Sequence, residues 1–296
     1  MRTRKEIRKD RKKPIRRKKG SHQAVPKKSK TAGSVKSIES LLTSTNVKDV
    51  LRGLGLVEEN LASSNEADKK AVFEMIASLF YIDVLEQPHF VPVLEEAVSI
   101  GTRFGDVAIP ILLEKLDAGD LKAQIAAAHA LGKMGANAIQ PLITAFQSTN
   151  DPERRSFVLY ALGKIKSPEV EQVLGLALEA ARSDETELRD TAVRALGKFA
   201  EVIHAHQLSG EVVKSLTNCL TACFADPNPG IRAKAVRSMG KLAKFGHLNS
   251  EEKSRFARTC NLFLGTDDKF EWDRAFIVRK EAQEALKYCK VAEQNE

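Results

Sequence analysis

The 296-residue chain has few aromatic side chains, few cysteines and no long apolar run. Aromatic residues make up only 6% of the chain, with one Trp and three Tyr, which argues against a platform that stacks the bases of single-stranded nucleic acid. No apolar stretch approaches the roughly eighteen residues that a membrane-spanning helix requires, so we expect no membrane span. The charged N-terminus is not followed by an apolar segment, which argues against a secretory signal.

The four cysteines all lie in the last third of the chain. They are too sparse for a disulfide framework and indicate a reducing compartment, so we expect a cytoplasmic protein, or a nuclear one in a nucleated cell. Cys219 and Cys223 are four residues apart, a spacing that also suits a metal site on one face of a helix. Because both fall on an apolar helical stripe, and Cys260 falls on a similar one, we interpret them as buried structural residues.

Charge is unevenly distributed along the chain. Lys and Arg number 47 against 39 Asp and Glu, for a net charge of +8. Residues 1–30 hold 15 Lys and Arg but only two acids, so they carry +13 and the remainder carries −5. Blocks of like charge repel one another, so we predict a disordered basic arm and linker over residues 1–37. Its candidate polyanion-binding residues, which could equally form a nuclear-localisation signal, are Lys12, Lys13, Arg16, Arg17, Lys18 and Lys19.

A motif that recurs after residue 88 is the most informative feature of the sequence. Each copy has an acid, then Arg or Gln, then a small or β-branched residue, then a sequence similar to Ala-Leu-Gly-Lys. A fainter copy ends at Gly101, and a last copy has Lys287 where the glycine is expected. The glycines of the four clear copies, spaced 31 to 43 residues apart, are Gly132, Gly163, Gly197 and Gly240.

Each part of the motif has a physical role in a helix. The acid can accept hydrogen bonds from the first free amides, and small residues let neighbouring helices approach closely. Glycine is predicted to end the helix in the left-handed conformation, beside a Lys that complements the negative end of the dipole. A second apolar helix follows, so we predict that each unit is a hairpin of the motif helix and the helix after it.

One such hairpin cannot bury its apolar face alone, whereas stacked copies can. We therefore predict an all-α fold, an α-solenoid or α-α superhelix of stacked helical hairpins. The solenoid should cover residues 88–296, preceded by an N-terminal helical cap over residues 38–87 and by the basic arm.

The motif resembles the HEAT repeat, and more narrowly the short HEAT-like repeats of the phycobilisome-lyase type. The fullest match runs from Asp120 to Leu142 and includes Ala127, Gly132 and Gly135. The resemblance implies a helical scaffold, and members of the family include scaffolds, partner-binding adaptors and chromophore-lyase subunits. Some HEAT-like proteins are metal enzymes with paired His-Glu dipeptides, but no histidine in this chain is followed by Glu.

Motifs that carry catalysis or bind cofactors are absent from the sequence. It has no Gly-rich phosphate loop, Walker pattern, Gly-x-Ser-x-Gly elbow or zinc-protease motif. His204 and His206 are two residues apart and would face different ways on a helix, so we do not interpret them as metal ligands. We expect a protein that is not an enzyme and that binds no cofactor or metal.

Two rows of basic residues recur along the predicted stack. The arginines of the motif are expected to pair with acids between the helices and to form a ladder between units: Arg155, Arg189, Arg232 and Arg279. The lysines beside the motif glycines either complement the helix dipoles or form a basic edge that binds a polyanion: Lys133, Lys164, Lys198 and Lys241.

The leading functional hypothesis is a HEAT-repeat adaptor or scaffold that binds a protein partner through the solenoid surface, on a concave face lined by the second helices. The alternative is association with nucleic acid or the ribosome through the basic arm. A third possibility, a bilin chromophore-lyase subunit, is implied by the family resemblance alone. The partner-binding candidates, taken from helical phase, are Gln140, Thr144, Glu171, Lys214, Asn218 and Arg258.

Overall fold

The computed structural model describes residues 30–266 and 272–289, and this part of the chain is helical without any strand. Turns and short 3-10 helices connect its fourteen α-helices. They are α1 (Lys30–Leu42), α2 (Val47–Asn60), α3 (Glu66–Ser78), α4 (Val91–Ile100), α5 (Ala108–Lys115), α6 (Leu121–Lys133), α7 (Ile139–Gln147), α8 (Pro152–Leu162), α9 (Leu174–Ala180), α10 (Thr186–Phe199), α11 (Gly210–Ala222), α12 (Pro229–Lys244), α13 (Ser250–Leu264) and α14 (Phe276–Leu286).

The predicted basic arm falls almost entirely outside the described residues. Residues 1–29, with all six polyanion-binding candidates of the arm, belong to the part that is not described. Helix α1 begins at Lys30, so the last residues assigned to the arm and linker are helical. None of the described helices is long and apolar enough to cross a membrane.

The helices pack in two rows, which confirms the predicted α-solenoid. The motif row consists of α4, α6, α8, α10, α12 and α14, and each of these helices packs directly on the next. The companion row consists of α5, α7, α9, α11 and α13, and its helices contact one another much less. Between α11 and α13 a groove takes the place of direct packing.

The packed hairpin differs by one helix from the predicted one. Helix α5 packs on α6, α7 on α8, α9 on α10 and α13 on α14, so a companion helix precedes its motif helix. The pairing of each motif helix with the helix after it is therefore wrong. The segment leaving α6 turns through a short 3-10 helix at Gly135–Ala138 and carries the chain to the next hairpin.

Three of the four motif glycines let neighbouring helices approach closely, and none of the four ends its helix in the predicted left-handed conformation; Gly163 is the C-cap of α8, but its φ is −67°. A Cβ atom added to Gly197 would lie 2.8 Å from the Cβ of Ser238 on the next motif helix. The left-handed turn comes later, at Gly135 after α6 and at Gly246 after α12, with φ of 66° and 81°. Three of the motif glycines lie within their helices near the C-terminal end, namely Gly132, Gly197 and Gly240.

The small residues of the motif form the contact between motif helices. Leu131, Leu162 and Leu196 fill the space beside them and are buried as well. Complete burial of one leucine side chain contributes about 1.5–3 kcal/mol, so the repeated contact holds the stack together. The fully buried small or β-branched residues, one per unit, are Ala127, Val158, Ala192, Ala235 and Ala282.

The acids that precede the motif helices have two different roles. Asp120 caps α6 by accepting hydrogen bonds from the amides of Lys122 and Ala123 at 2.9 and 3.0 Å, as predicted. Asp151 caps α8 in the same way. Asp226 lies before the N-cap of α12, which is Asn228, and is therefore available to the preceding unit.

The predicted arginine ladder is present between the C-terminal units. Arg189 donates from Nε to Asp226 at 2.7 Å, across the junction of α10 and α12. Arg232 donates through two nitrogens to Asp273 at 2.8 and 3.0 Å, across the junction of α12 and α14. Arg155 donates to the carbonyl of its own loop at Thr149, and its guanidinium lies 3.7 Å from the exposed carboxylate of Glu179 on α9. The ladder therefore fixes the spacing of units from α10 to α14.

Candidate partner-binding surfaces

The six predicted partner-binding residues are exposed and lie on the companion row. Gln140 and Thr144 lie on α7, Glu171 lies in the 3-10 turn before α9, and Arg258 lies on α13. Lys214 and Asn218, one helical turn apart on α11, are the two that line a common groove. The structure therefore groups two of the six candidates and separates the other four from them.

That groove, the α11–α13 groove, has a volume of 720 Å³. Its apolar lining includes Phe224 and Phe256, whose nearly parallel rings lie 6.0 Å apart at 17°. An apolar surface bordered by a small number of hydrogen-bonding groups is typical of binding sites. The uncharged polar side chains that line the groove are Thr217, Asn218, Thr221, Asn249 and Thr259.

The charged groups around the α11–α13 groove are two cations, Lys214 and Arg255, and two carboxylates, Glu251 and Glu252. Lys214 has no carboxylate within ion-pair distance among the described residues. Arg255 contacts Glu251 at 2.9 Å, one helical turn away on the exposed face of α13. Glu252 accepts the amide hydrogen of Asn249 at 2.8 Å in a capping box, so its carboxylate is engaged at the start of α13. An acidic group on a ligand would therefore find Lys214 unneutralised.

His247 is a buried residue of the same groove that the sequence pattern did not single out. Its Nε2 lies 2.9 Å from the carbonyl oxygen of Ala200, so that nitrogen donates and links the end of α12 to the end of α10. Its Nδ1 is buried without a hydrogen-bond partner among the described residues. The only sequence signal was its place directly after the left-handed Gly246, where the chain turns back toward the stack.

A second groove, the acidic groove, crosses the motif row at the N-terminal ends of α6, α8 and α10. It has a volume of 490 Å³. Its apolar part is formed by Leu121, Ile125, Phe157 and Tyr160, and the side chain of Leu121 is 61% exposed. An exposed apolar cluster on a soluble protein marks an interaction site more often than isolated apolar residues do.

Three exposed carboxylates, Glu153, Glu185 and Glu187, line the acidic groove. No Lys, Arg or His lines it, and within the described part of the chain none of the three carboxylates forms an ion pair. The sequence pattern missed this groove, because its members come from three helices. The available signal was the apolar Leu121 directly after the capping Asp120, a position where polar residues usually stand.

The predicted lysine row divides into a neutralised half and an unneutralised half. Glu201 accepts from Lys198 at 3.2 Å and from Lys241 at 2.7 Å. Burial raises the pKa of Glu201, but the two lysines lower it further, so it lies below its ordinary value. Lys133 and Lys164 have no such carboxylate among the described residues, and the Lys164 ammonium lies 4.6 Å from the centre of the Tyr160 ring.

His129 lies between the two unneutralised lysines, in a pocket of 440 Å³ that also includes Lys166. Its Nε2 is 3.1 Å from the hydroxyl of Tyr160. Burial, together with the charges of Lys164 and Lys133, lowers the pKa of His129, which favours the neutral ring. The pocket therefore presents the ammonium groups of Lys133 and Lys164 beside this ring, together with Lys166, which lies 3.5 Å from the carboxylate of Glu201.

The cysteines and the histidine pair do not assemble into a metal site in the described residues. All four thiols are buried, and burial raises the pKa of Cys260 to about 12. The rings of His204 and His206 stack 5.5 Å apart at an exposed turn. Within residues 30–266 and 272–289, no group of three or more His, Cys, Asp or Glu is placed to hold a metal ion.

One family model matches part of the chain. Residues 109–178, less than half of the chain, match the family model of HEAT repeats, which supports the resemblance of the motif to that repeat. The match spans α5 to α9 and includes two of the packed hairpins. No curated protein matches the sequence.

Solved structures with a similar fold include natural and engineered helical repeats. The complex of CpcE and CpcF of phycocyanin lyase from Nostoc sp. PCC7120 is 21% identical, with a TM-score of 0.48 over 60% of this chain and 97% of that chain. An engineered protein is 18% identical, with a TM-score of 0.46 over 86% and 98%. The karyopherin Kap121p, bound to the SUMO protease Ulp1p, is 12% identical, with a TM-score of 0.59. That match covers 88% of this chain but 29% of Kap121p, and it shows the fold alone.

Proposed function

We propose that this chain is a non-enzymatic scaffold that binds a protein partner in the α11–α13 groove. The observation that supports the proposal is the composition of the groove, an apolar surface between two helical walls that carry amide and hydroxyl groups. The walls are long helices, α11 and α13, each with a side-chain cap at its N-terminus. Rigid walls position the polar groups in advance, which lowers the entropy cost of binding.

The chemistry of the walls fits an extended peptide segment. The amide of Asn218 can donate and accept at once, and the hydroxyl of Thr221 can do either. The hydroxyl of Thr217 donates to the carbonyl of Lys214 at 3.0 Å and can still accept, so the three side chains match the alternating donors and acceptors of a main chain. One apolar side chain of the segment would lie against Phe224 and Phe256. An acidic residue in the segment would pair with Lys214.

We further infer that the companion row lies on the outer side of the stack. The two rows are joined in every hairpin, and motif helices pack more closely on one another than companion helices do. In a curved stack the row with the closer spacing is the inner one. The α11–α13 groove therefore opens on the outer side, whereas the sequence pattern predicted a concave face lined by these helices. The candidates Gln140, Thr144, Glu171 and Arg258 also lie on this outer side. They do not line the groove, so we treat them as secondary candidates for partner binding.

The test is a comparison of two variants against a partner recovered by pull-down and mass spectrometry. The double variant Lys214→Glu/Asn218→Ala should bind the purified partner at least tenfold more weakly. The control Gln140→Ala/Thr144→Ala, on the equally exposed face of α7, should bind like the unmodified chain. Equal affinity of the two double variants would place the partner elsewhere and contradict the proposal.

A second candidate function is polyanion binding, and the unneutralised Lys133 and Lys164 favour it. If the basic edge contributes, Lys133→Gln/Lys164→Gln should lower the salt dependence of duplex DNA binding, while the control Lys198→Gln/Lys241→Gln should change it less. If deletion of residues 1–30 abolishes binding altogether, the basic arm carries it. The bilin-lyase hypothesis is implied by the sequence resemblance, and no specific contact among the described residues favours it.

A further inference from the structure

The acidic groove combines exposed apolar side chains with carboxylates that have no cationic partner among the described residues. Leu121 is the most exposed apolar residue of the groove, and Phe157 and Tyr160 are partly exposed beside it. Glu153, Glu185 and Glu187 surround them. A ligand that buries the apolar side chains and supplies several positive charges would satisfy both features at once.

The acidic groove lies where the negatively charged half of the chain meets the nearly neutral half, because Glu153 belongs to residues 38–162 and Glu185 and Glu187 belong to residues 163–296. Residues 38–162 contain 10 Lys and Arg against 17 Asp and Glu, whereas residues 163–296 contain 21 against 20. The surplus acid of the body is therefore concentrated in the units next to the start of α1. A positively charged segment that approaches residues 38–162 therefore meets an attractive electrostatic potential. This potential brings the segment close to the acidic groove, where specific contacts can form.

We propose that the basic arm of this same chain, residues 1–29, binds in the acidic groove. The arm has 14 Lys and Arg against 2 acids, and Ile7, Ile15 and Val25 are spaced among its charges. These are the two kinds of group that the groove requires. An apolar side chain of the arm covers Leu121 and Phe157, and flanking Lys or Arg side chains pair with the glutamates.

The length of the arm allows this contact within one molecule. Helix α1 packs on α2, and α2, α4, α6 and α8 follow one another in the stack. At 8–10 Å per packed helix, the middle of the groove at α8 lies about 30–40 Å from α1. An extended chain of 29 residues reaches about 95 Å, so the arm can cross the distance with slack. The covalent link holds the arm at an effective concentration on the order of millimolar.

If the arm docks in this way, the acidic groove and a polyanion compete for the same lysines and arginines of the arm. The arm would be covered when no polyanion is present and would be released when one binds. This inference is independent of the α11–α13 groove, which lies on other helices, so either proposal can fail without the other.

The experiment uses the full chain and a zero-length carbodiimide reagent that joins carboxylates to lysine amines. Mass spectrometry should find links between lysines of residues 1–29 and Glu153, Glu185 or Glu187, and 0.5 M NaCl should reduce their yield at least tenfold. In a mixture of heavy-isotope and normal chains, both peptides of each link should carry the same isotope label, because the arm and the groove belong to one chain. Links between heavy and light chains would overturn the proposal in favour of docking between two copies.

The matched controls are three exposed glutamates that also lie in first helical turns, Glu169, Glu171 and Glu211. Their links to the arm should be at least tenfold less abundant, and comparable yields would mean nonspecific attraction and would overturn the proposal. The variant Leu121→Ser keeps all three groove carboxylates. It should reduce the groove links several-fold if the arm is held by an apolar contact, and an unchanged yield would also contradict docking in the groove.

Discussion

Replacement of Arg232 by methionine should destabilise the junction between α12 and α14 more than the loss of any exposed ion pair. The Arg232 side chain is 18% exposed and that of Asp273 is 9% exposed, and two nitrogens of the guanidinium contact the carboxylate. Methionine keeps most of the apolar stem but removes the charge. The buried carboxylate of Asp273 then has lost its partner, and such a loss costs about 3 kcal/mol.

A matched control lies on the same helix. Arg237 contacts Glu281 of α14, also through two nitrogens; the Arg237 side chain is 51% exposed and that of Glu281 is 13% exposed. Water reaches the guanidinium of this pair and screens it, so Arg237→Met should cost less, about 1 kcal/mol. The two variants remove the same group from the same pair of helices, but Arg232 is the less exposed arginine and also donates to the carbonyl of Asp226 at 2.8 Å.

The pH dependence provides a second check on the Arg232 variant. Burial raises the pKa of Asp273, but hydrogen bonds from Arg232 and from the amide of Ala275 lower it further, so its folded value lies below the ordinary one. A carboxylate with a depressed pKa contributes stability above its unfolded pKa of about 3.9, and that contribution is lost as the pH falls through the folded value. The difference between Arg232→Met and the unmodified chain should therefore shrink below about pH 4.

Urea unfolding with two optical signals measures this effect. Helical circular dichroism follows the whole stack, which can unfold in steps because each unit contacts only its neighbours. The single Trp272, beside Asp273 and 4.4 Å from the Arg279 guanidinium, reports on the C-terminal unit by fluorescence. Equal shifts of the fluorescence midpoint in Arg232→Met and Arg237→Met at pH 7 would refute the reasoning.

Three further predictions follow from packing, burial and charge. Gly197→Ala should cost about 1–3 kcal/mol in thermal or urea unfolding because its Cβ meets the next motif helix, whereas Gly175→Ala, where no atom lies within 4 Å, should raise stability by up to about 1 kcal/mol. The folded chain should not react with thiol reagents at pH 8, because all four thiols are buried and Cys260 has a pKa of about 12; rapid reaction before unfolding would contradict this. Lys133→Gln/Lys164→Gln should reduce the log–log salt slope of duplex DNA binding by up to about 1.8, and an unchanged slope would exclude these lysines.

The period of the motif was sufficient to predict the solenoid, but not which helices form a hairpin. Small residues such as Ala127 and Ala192 can be buried only if units stack, so the architecture follows from the repeat. The same period is compatible with pairing each motif helix with the helix before it or after it. The Ala-Leu-Gly pattern is equally ambiguous, because glycine serves a left-handed cap or a close contact. Ser238 of the next motif helix lies against Gly197, so this glycine serves the close contact between helices. The sequence alone does not show that these two residues are neighbours.

The candidate surfaces were predictable where they depend on one helix. Lys214 and Asn218 share a face of α11 because they are four residues apart, and helical phase was enough to group them. The gap between α11 and α13, which makes that face a groove, depends on the spacing of two helices with a complete motif helix between them. The acidic groove combines Leu121 with Phe157 and Glu187, residues thirty or more positions apart, so it follows only from the stacking register.

The unequal distribution of ion pairs has a mechanical consequence. Motif helices α10, α12 and α14 are cross-linked by buried pairs and by contacts such as Lys234 with Asp190, whereas α8 and α10 are joined by the long, exposed contact of Lys166 with Glu201. We therefore expect the stack to be stiffer across the junctions of α10, α12 and α14 than across the junction of α8 and α10, the compliant segment. If the two ends of the stack were pulled apart, the compliant segment would extend first. The width of the acidic groove, which spans α6, α8 and α10, would then vary with tension.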